Sequence, residues 1–298
     1  MNSGKKNQFM RKSEPYRYLL PTIILMVVLL AVPIIMVISY AFYDNVIINA
    51  NPKFVGLKNF EKLIADDDFW VSIRNTVVFV GISVAAHMFL GILFAMLLNT
   101  RYLGSRTKGI FRTIYILPWV FTASVIAILW VMIMNPNGIL NYIIGLFAGS
   151  EVHIEWLGSR KTALAAVTII NIWAGYPFYM ISILAGLQGI SSDLYEAAAI
   201  DGANAPNTFF RITIPQLKPI LISLLMLDFI WTFQQFALIW TTTGGGPINA
   251  TEMMSTYIYK WAFSKYKYSM ASAASCVILV FCIILAIFYV RSQQKARD

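Results

Sequence analysis

The apolar run LLPTIILMVVLLAVPIIMVISYAF, residues 19–42, contains no charged side chain. An α-helix rises about 1.5 Å per residue, so a run of this length can cross the ~30 Å hydrocarbon core of a bilayer. A secretory signal peptide would have a shorter apolar region and a small-residue cleavage site. The run therefore predicts a retained first membrane span, preceded by a tail that carries Lys5, Lys6, Arg11, Lys12 and Arg17.

Five further apolar runs of similar length follow, near residues 75–98, 113–134, 162–187, 219–241 and 269–290. Hydrophobic residues make up 58% of the chain and charged residues 12%, against about 25% charged in soluble domains. Membrane helices tolerate proline, as at Pro33, Pro118 and Pro177 in or beside these runs. The pattern predicts an all-α polytopic membrane protein with six transmembrane helices.

The net charge of +9 is concentrated in short segments between these runs. Lysine and arginine prefer cytoplasmic loops, so the charge orients the spans and does not indicate nucleic-acid binding. The basic tails at both ends and the second loop, with Arg101, Arg106, Lys108 and Arg112, fall on one side in a six-span arrangement. We therefore predict that both termini are cytoplasmic.

These runs divide the chain into consecutive segments. The predicted order is a cytoplasmic tail (1–18), the first span (19–42), an external loop with a short helix (43–74), a five-span core (75–290) and a cytoplasmic tail (291–298). Within the core, residues 189–218 form the most polar connection, between the fourth and fifth spans.

That connection contains DLYEAAAIDGANAPNTFFRITIP, residues 193–215, which predicts two short helices around a glycine break. Asp193 or Ser192 can cap the first helix, and Gly202 can end it. Small side chains would let a partner approach closely, and Glu196 offers it a charge. The alternative is an ordinary connector whose alanines only favour helix.

The spacing Glu196-Ala197-Ala198, three residues, Gly202, nine residues, then Ile212, Ile214 and Pro215 resembles the signature of binding-protein-dependent importer permeases. Ile214 stands where leucine is usual, and Ser192 stands where the sugar branch often has proline. Five stretches look like that sugar branch: FVGLKNFEKL, FWVSIRNT, RTIYILPWV, LAGLQGISSDLYEAAAIDGA and TTTGGGPINATE. The last of them is similar to the external loop of the larger permease subunit in maltose, raffinose and glycerol-phosphate importers. The chain has room only for the compact six-span form.

The resemblance implies the permease core of a type I ATP-binding-cassette importer in a prokaryotic cytoplasmic membrane. It implies partners: a second, homologous permease subunit, two ATP-binding subunits, an extracellular substrate-binding protein and a sugar. The chain lacks a G-x-x-x-x-G-K-[ST] phosphate loop and would bind no cofactor, so ATP and Mg²⁺ would belong to the partner ATPase. Coupling to it would fall to Glu196, Ala197, Ala198, Asp201, Gly202, Ala203 and Pro215.

Polar residues inside the spans indicate a substrate pathway. Asp228 is the one acid within a span, and Thr232 and Gln235 follow on its helical face, beside Trp231 and Gln234. The fourth span adds Asn171, Tyr176 and Tyr179. The alternative is that these groups bond spans to one another. By resemblance, Gly244, Gly245, Gly246 and Pro247 form a flexible external turn that meets the binding protein.

The remaining polar and sulfur side chains carry weaker expectations. Trp119 and Trp130 are interpreted as interface anchors, and His87 as a buried, hydrogen-bonded imidazole. Cys276 and Cys282 are apolar filler, and His153 has no second histidine nearby, so no metal site is predicted. Other possible functions are an ion-coupled secondary transporter, a permease for another solute and a membrane-embedded enzyme, although no nucleophile–base pair stands out.

Overall fold

The computed structural model describes residues 18–100 and 102–295. Within them, the only β pairing is a single antiparallel bridge between Tyr43 and Phe54. The helices in chain order are α1 (Tyr18–Tyr40), α2 (Lys58–Ile64), α3 (Asp67–Asn99), α4 (Ser105–Val120), α5 (Ala123–Ile133), α6 (Ile139–Ala148), α7 (Ala163–Gln188), α8 (Ser192–Ile200), α9 (Ala205–Phe233), α10 (Ala237–Thr242), α11 (Met254–Tyr259) and α12 (Tyr268–Lys295). A π-helical turn, Lys260–Ser264, directly follows α11.

Five of these helices are long and apolar enough to cross a membrane: α1, α3, α7, α9 and α12. The helices α4 and α5 pass the same test together, although they are bent by 98° at the break between them. The prediction of an all-α polytopic membrane fold is therefore confirmed, with the bent pair taking the place of the third span.

The second span begins earlier than the sequence indicated. We expected an external loop to residue 74, because the apolar run begins near residue 75, but α3 starts at Asp67. Asp66 caps the helix by accepting the backbone N–H of Asp68, and Asp67 and Asp68 lie in the first turn. Carboxylates are stabilised at that end of a helix by its dipole, so the acids start the helix.

Two spans are broken where the sequence suggested continuity. The run near 113–134 is interrupted at Phe121, which is extended with ψ of 149° and follows Pro118 by three residues. The run near 219–241 is interrupted after Phe233, and helix resumes at α10. Hydropathy alone gave no sign of the first break, because the residues around Phe121 are largely apolar.

Proline explains two local widenings of the long helices. Residues Val27–Ala31 form a π-helical turn before Pro33, and Phe209–Thr213 form another before Pro215. A proline has no backbone N–H, so the carbonyl four residues earlier loses its partner. In both cases that carbonyl belongs to the widened turn, and the helix continues beyond the proline.

The described chain divides into two compact units. The first consists of residues 18–65 with Ile258–Ile278. In it, Asn59 donates to the carbonyls of Ala41 and Tyr43 at 2.8 and 2.9 Å, and the Val46 N–H donates to Ser269 Oγ at 3.2 Å. None of the apolar window of α1 is buried in this chain.

The second unit consists of Asp66–Tyr257 with residues 279–295. Its core runs between α3 and α7, which pack along much of their length. A glycine permits this approach: a Cβ on Gly91 would overlap the Cβ of Tyr179 and lie 3.2 Å from the backbone nitrogen of Met180. The core around this contact includes Ala95, Leu98, Ile183, Leu184, Leu187, Leu217 and Leu224.

Candidate functional site

A cavity of about 230 Å³ lies beside both helix breaks in the second unit. Its polar lining consists of His87, Asn171, Asp228, Thr232 and Gln235, and its aromatic lining of Trp119, Phe121 and Trp231. Non-helical backbone at membrane depth occurs only where protein or a water-filled cavity satisfies its polar groups. The breaks and the cavity therefore form one structural feature.

A hydrogen-bonded pair on the cavity wall joins three helices. His87 on α3 places Nδ1 2.8 Å from Asp228 Oδ2 on α9, and Nε2 3.0 Å from the Asn171 carbonyl on α7. Thr232 Oγ1 donates to the other carboxyl oxygen of Asp228 at 2.9 Å. The expectation of a satisfied imidazole at His87 is confirmed. Its partner was missed, since two residues 141 positions apart give no local signal.

The aromatic wall is continuous across three helices, α4, α7 and α9. Phe178 on α7 lies between Trp119, at 6.0 Å between ring centroids, and Trp231, at 5.4 Å. Trp231 is 55% exposed and so leaves a large aromatic face uncovered within this chain. Trp119 had been interpreted as an interface anchor, but the structure places it at the cavity. Trp130 instead packs edge-on against Trp173 at 5.6 Å.

Three of the residues expected in the pathway do not line the cavity, although Tyr179 packs 5.9 Å from the His87 ring, between centroids, on the cavity wall. Tyr179 is fully buried in the core, where its hydroxyl donates to the Leu224 carbonyl at 3.3 Å. Tyr176 is buried against Phe94, at 5.2 Å between ring centroids. Gln234 follows the end of α9 and directs its amide to Cys282 Sγ at 3.8 Å. The structure thus brings together Asn171, Asp228, Trp231, Thr232 and Gln235 from the predicted set.

The glycine loop, residues 243–254, is held at both ends. Gly244 and Gly245 have φ of +60° and +88°, backbone angles that glycine adopts more readily than other residues. Asn75 Nδ2 on α3 lies 3.1, 3.2 and 3.1 Å from the carbonyls of Asn249, Ala250 and Glu252. The predicted flexible turn is therefore a hydrogen-bonded loop, and Asn75 is a residue that the sequence pattern did not single out.

Asn75→Ala is expected to destabilise this loop by about 1–3 kcal/mol, because buried backbone carbonyls lose their donor. Hydrogen exchange of the amides of residues 244–254 should accelerate by ~10-fold or more as local opening becomes easier. Asn137→Ala, at an exposed position in another loop, is the control. Unchanged exchange in the Asn75 variant would show that the loop is ordered by other contacts.

The short helix α8 projects between two long spans. Ser191 caps it by accepting the Asp193 N–H, one residue before the caps expected from the sequence. Its end is a glycine cap: Gly202 has φ of +70°, its N–H donates to Ala199 O, and the Ala203 N–H donates to Ala198 O at 2.9 Å. The predicted helix end at Gly202 is confirmed. The second short helix expected in the connection 189–218 is instead the start of α9, which runs without a break from Ala205 to Phe233.

The exposed surface of α8 combines apolar and charged groups. Ile200 is 87% exposed and Leu194 is 41% exposed, whereas Ala198 is 6% exposed and packs inward. Glu196 is exposed and forms no ion pair with any described residue of the chain. Tyr195 fixes the helix to the start of α9, with its hydroxyl 3.2 Å from Thr213 Oγ1. The helix α8 therefore exposes apolar and charged side chains that have no partner among the described residues, and its position is fixed by the contact with α9.

A second cavity, of about 380 Å³, lies along α6 and the loop after it. His153 Nε2 lies 3.7 Å from a Glu151 carboxylate oxygen, and both side chains are exposed. Within the described residues, no three His, Cys, Asp or Glu side chains are grouped as metal ligands. This cavity has no aligned set of reactive groups.

Two relatives with similar sequences are transport system permease proteins. The trehalose/maltose transport system permease protein MalF of Thermococcus litoralis is 33% identical over 100% of this chain and 99% of its own length. The diacetylchitobiose uptake system permease protein DasB of Streptomyces coelicolor is 28% identical, with 95% and 88% covered.

A solved structure, that of a bacterial ABC transporter involved in import of the acidic polysaccharide alginate, matches with a TM-score of 0.84 at 24% identity. The match covers 99% of this chain and 100% of that one, and it shows a shared fold. The family profile for the binding-protein-dependent transport system inner membrane component matches residues 88–298. The chain belongs to the family of inner membrane components of binding-protein-dependent transport systems.

Proposed function

We propose that this chain forms one half of the membrane channel of an ATP-driven sugar importer. The observation that carries the proposal is the surface of α8, where Glu196 and apolar side chains are exposed between two spans. The helix ends in a glycine cap and is fixed to α9 through Tyr195. A helix in that position can receive motion from a partner and pass it to α7 and α9. The relatives named for trehalose/maltose and diacetylchitobiose support a sugar as the cargo.

The partner of α8 would be a separate ATPase. Leu194 and Ile200 would bury their apolar surface in its groove, while Glu196 would pair with a basic group there. The small residues Ala197 and Ala203 permit close approach, and Asp201 and Pro215 complete the matched signature. Ala198 and Gly202 would act through the helix itself, by packing and by capping.

The cavity beside the helix breaks would be part of the sugar pathway. Carbohydrates present hydroxyls that pair with amides and hydroxyls, and apolar ring faces that stack on aromatic side chains. Gln235, Thr232 and Asn171 supply the first kind of group, and Trp231 and Trp119 the second. Its size of about 230 Å³ suits part of an oligosaccharide, which leaves room for a contribution from a second permease subunit.

Further features of the importer are proposed on the same basis. α1 has no buried residues in its apolar window, which suits contact with a homologous permease and with lipid. The glycine loop, including Gly246 and Pro247, would meet an external binding protein. Both termini would face the cytoplasm, two ATP-binding subunits would bind ATP and Mg²⁺, and the complex would lie in a prokaryotic cytoplasmic membrane.

Transport would proceed by alternating access. The loaded binding protein would dock outside, ATP would close the ATPase dimer, and α8 would move as a rigid body with the ends of α7 and α9. The helix breaks on the cavity wall are the natural points at which the spans change direction. The cavity would then open outward to receive the sugar, and inward after hydrolysis.

The proposal predicts sugar-dependent ATP hydrolysis by the purified complex. With the binding protein present, a panel of oligosaccharides should contain at least one that raises the ATPase rate by ~5-fold or more, as expected for a ligand-coupled state change of about 1–3 kcal/mol. Amino acids and peptides at the same concentration are the controls. Stimulation only by a non-sugar solute would support the proposal of an ATP-driven importer and contradict the proposal that its cargo is a sugar.

A further inference from the structure

His87 occupies a crossing point of three helices. Its ring is 1% exposed and bonds to Asp228 on α9 and to the Asn171 carbonyl on α7. A glycine makes space for it: a Cβ on Gly175 would overlap Nε2 and Cε1 of the imidazole. Both hydrogen bonds and the space left by Gly175 require an imidazole ring in this orientation. Hydrophobic packing alone would not require them.

The hydrogen bonds determine the charge of the pair. A carbonyl oxygen only accepts, so the Nε2 atom facing Asn171 must carry a proton. One more proton lies between Nδ1 and the carboxyl group of Asp228, either on the histidine or on the acid. In the first case the pair is an imidazolium with a carboxylate, and in the second a neutral imidazole with a carboxylic acid. The pair has no net charge in either case.

Neutralisation of this pair makes the whole described lining of the cavity neutral. The other polar members are two amides and a hydroxyl, on Asn171, Gln235 and Thr232. Thr232 and His87 already occupy both carboxyl oxygens of Asp228. By contrast, Asn171 Nδ2 is buried and has no hydrogen-bond partner among the described residues.

We propose that His87 is a positioning residue that cancels the charge of Asp228 and so makes the cavity selective for uncharged carbohydrate. This inference rests on the proposed function, because it requires the cavity to lie on the sugar pathway. A charged ligand entering a neutral, low-dielectric site loses its hydration without gaining a counter-ion. An uncharged sugar would instead meet the Gln235 amide and the exposed Trp231 ring.

A double-mutant cycle in the reconstituted importer tests the charge argument. His87→Asn keeps a donor in the position of Nδ1 but cannot take up a proton, so an ionised Asp228 is left without a counter-charge. Uptake of a neutral trisaccharide should fall by ~10-fold or more, as expected for an uncompensated charge at membrane depth. In the Asp228→Asn background, the same change at position 87 should alter uptake by less than about 2-fold.

A ring that acts only by packing would give the same loss in both backgrounds, and that result would overturn the inference. If His87→Asn prevents assembly, the yield of complex becomes the readout, and Asp228→Asn should restore it. Absence of sugar uptake by the unmodified importer would instead contradict the proposed function, so the two failures are distinguishable.

Ligand charge provides an independent measurement. Binding to the purified complex without the binding protein can be followed by tryptophan fluorescence, since Trp119 and Trp231 line the cavity. The probes are a neutral trisaccharide and its counterparts with one uronate or one amino sugar. The neutral probe should bind best, and His87→Asn should favour the amino sugar relative to it by ~3-fold or more. Equal binding of the uronate and the neutral probe would overturn the selectivity.

Discussion

Glu196→Lys is expected to leave the importer assembled and to reduce ATP-driven uptake by ~10-fold or more. Glu196 is exposed on α8 and forms no ion pair with the described residues, so its substitution removes nothing that holds the fold together. Reversal of its charge opposite a basic group of an ATPase would cost about 2–5 kcal/mol of docking free energy. The measurement is uptake together with sugar-stimulated ATPase activity.

The matched control is Glu151→Lys. The Glu151 side chain is 95% exposed, and its substitution makes the same change of charge in a different loop. The control should transport at the unmodified rate. Undiminished uptake by the Glu196 variant would remove this residue from the coupling surface, even with the rest of the signature in place.

Gly91→Ala is expected to have the largest effect on stability. The added methyl would overlap the Tyr179 side chain and press on the backbone of α7, which cannot move aside as a flexible side chain could. Overpacking of this kind costs about 1–3 kcal/mol, so the thermal midpoint of the purified complex should fall by several degrees.

Gly81→Ala is the control on the same helix, because a Cβ there meets nothing within 4 Å. Alanine has less backbone freedom than glycine in the unfolded chain, so Gly81→Ala should leave the free energy of unfolding unchanged or raise it by up to about 1 kcal/mol. Equal effects of the two substitutions would show that the close contact of α3 with α7 does not limit stability.

The sequence was most informative where one residue type determines a local structure. Long uncharged runs require membrane helices, because backbone polar groups cannot remain unpaired in hydrocarbon. Gly202 at the end of α8 could likewise be anticipated, since few other residues adopt φ of +70°. The start of α3 at Asp67 was missed, because the apolar run begins only near residue 75 and acids are common both in loops and in the first turn of a helix.

The site was less predictable because it depends on contacts between distant segments. Tyr176 and Tyr179 share a helical face, but that face meets α3 and not the cavity. The pairing of His87 with Asp228 could have been suspected from two ionisable residues in apolar spans, which must find partners. Asn75 had no such signal, because its role depends on where the glycine loop returns to α3.

The most direct test of the central claim is the energy source of uptake by this chain. Proteoliposomes would hold the complete importer with ATP inside and the binding protein outside, and parallel vesicles would hold this chain and its permease partner without the ATPase. Sugar should accumulate only with ATP, the ATPase and the binding protein together, and a proton or sodium gradient should not replace ATP. Gradient-driven uptake by the vesicles without the ATPase would contradict the account.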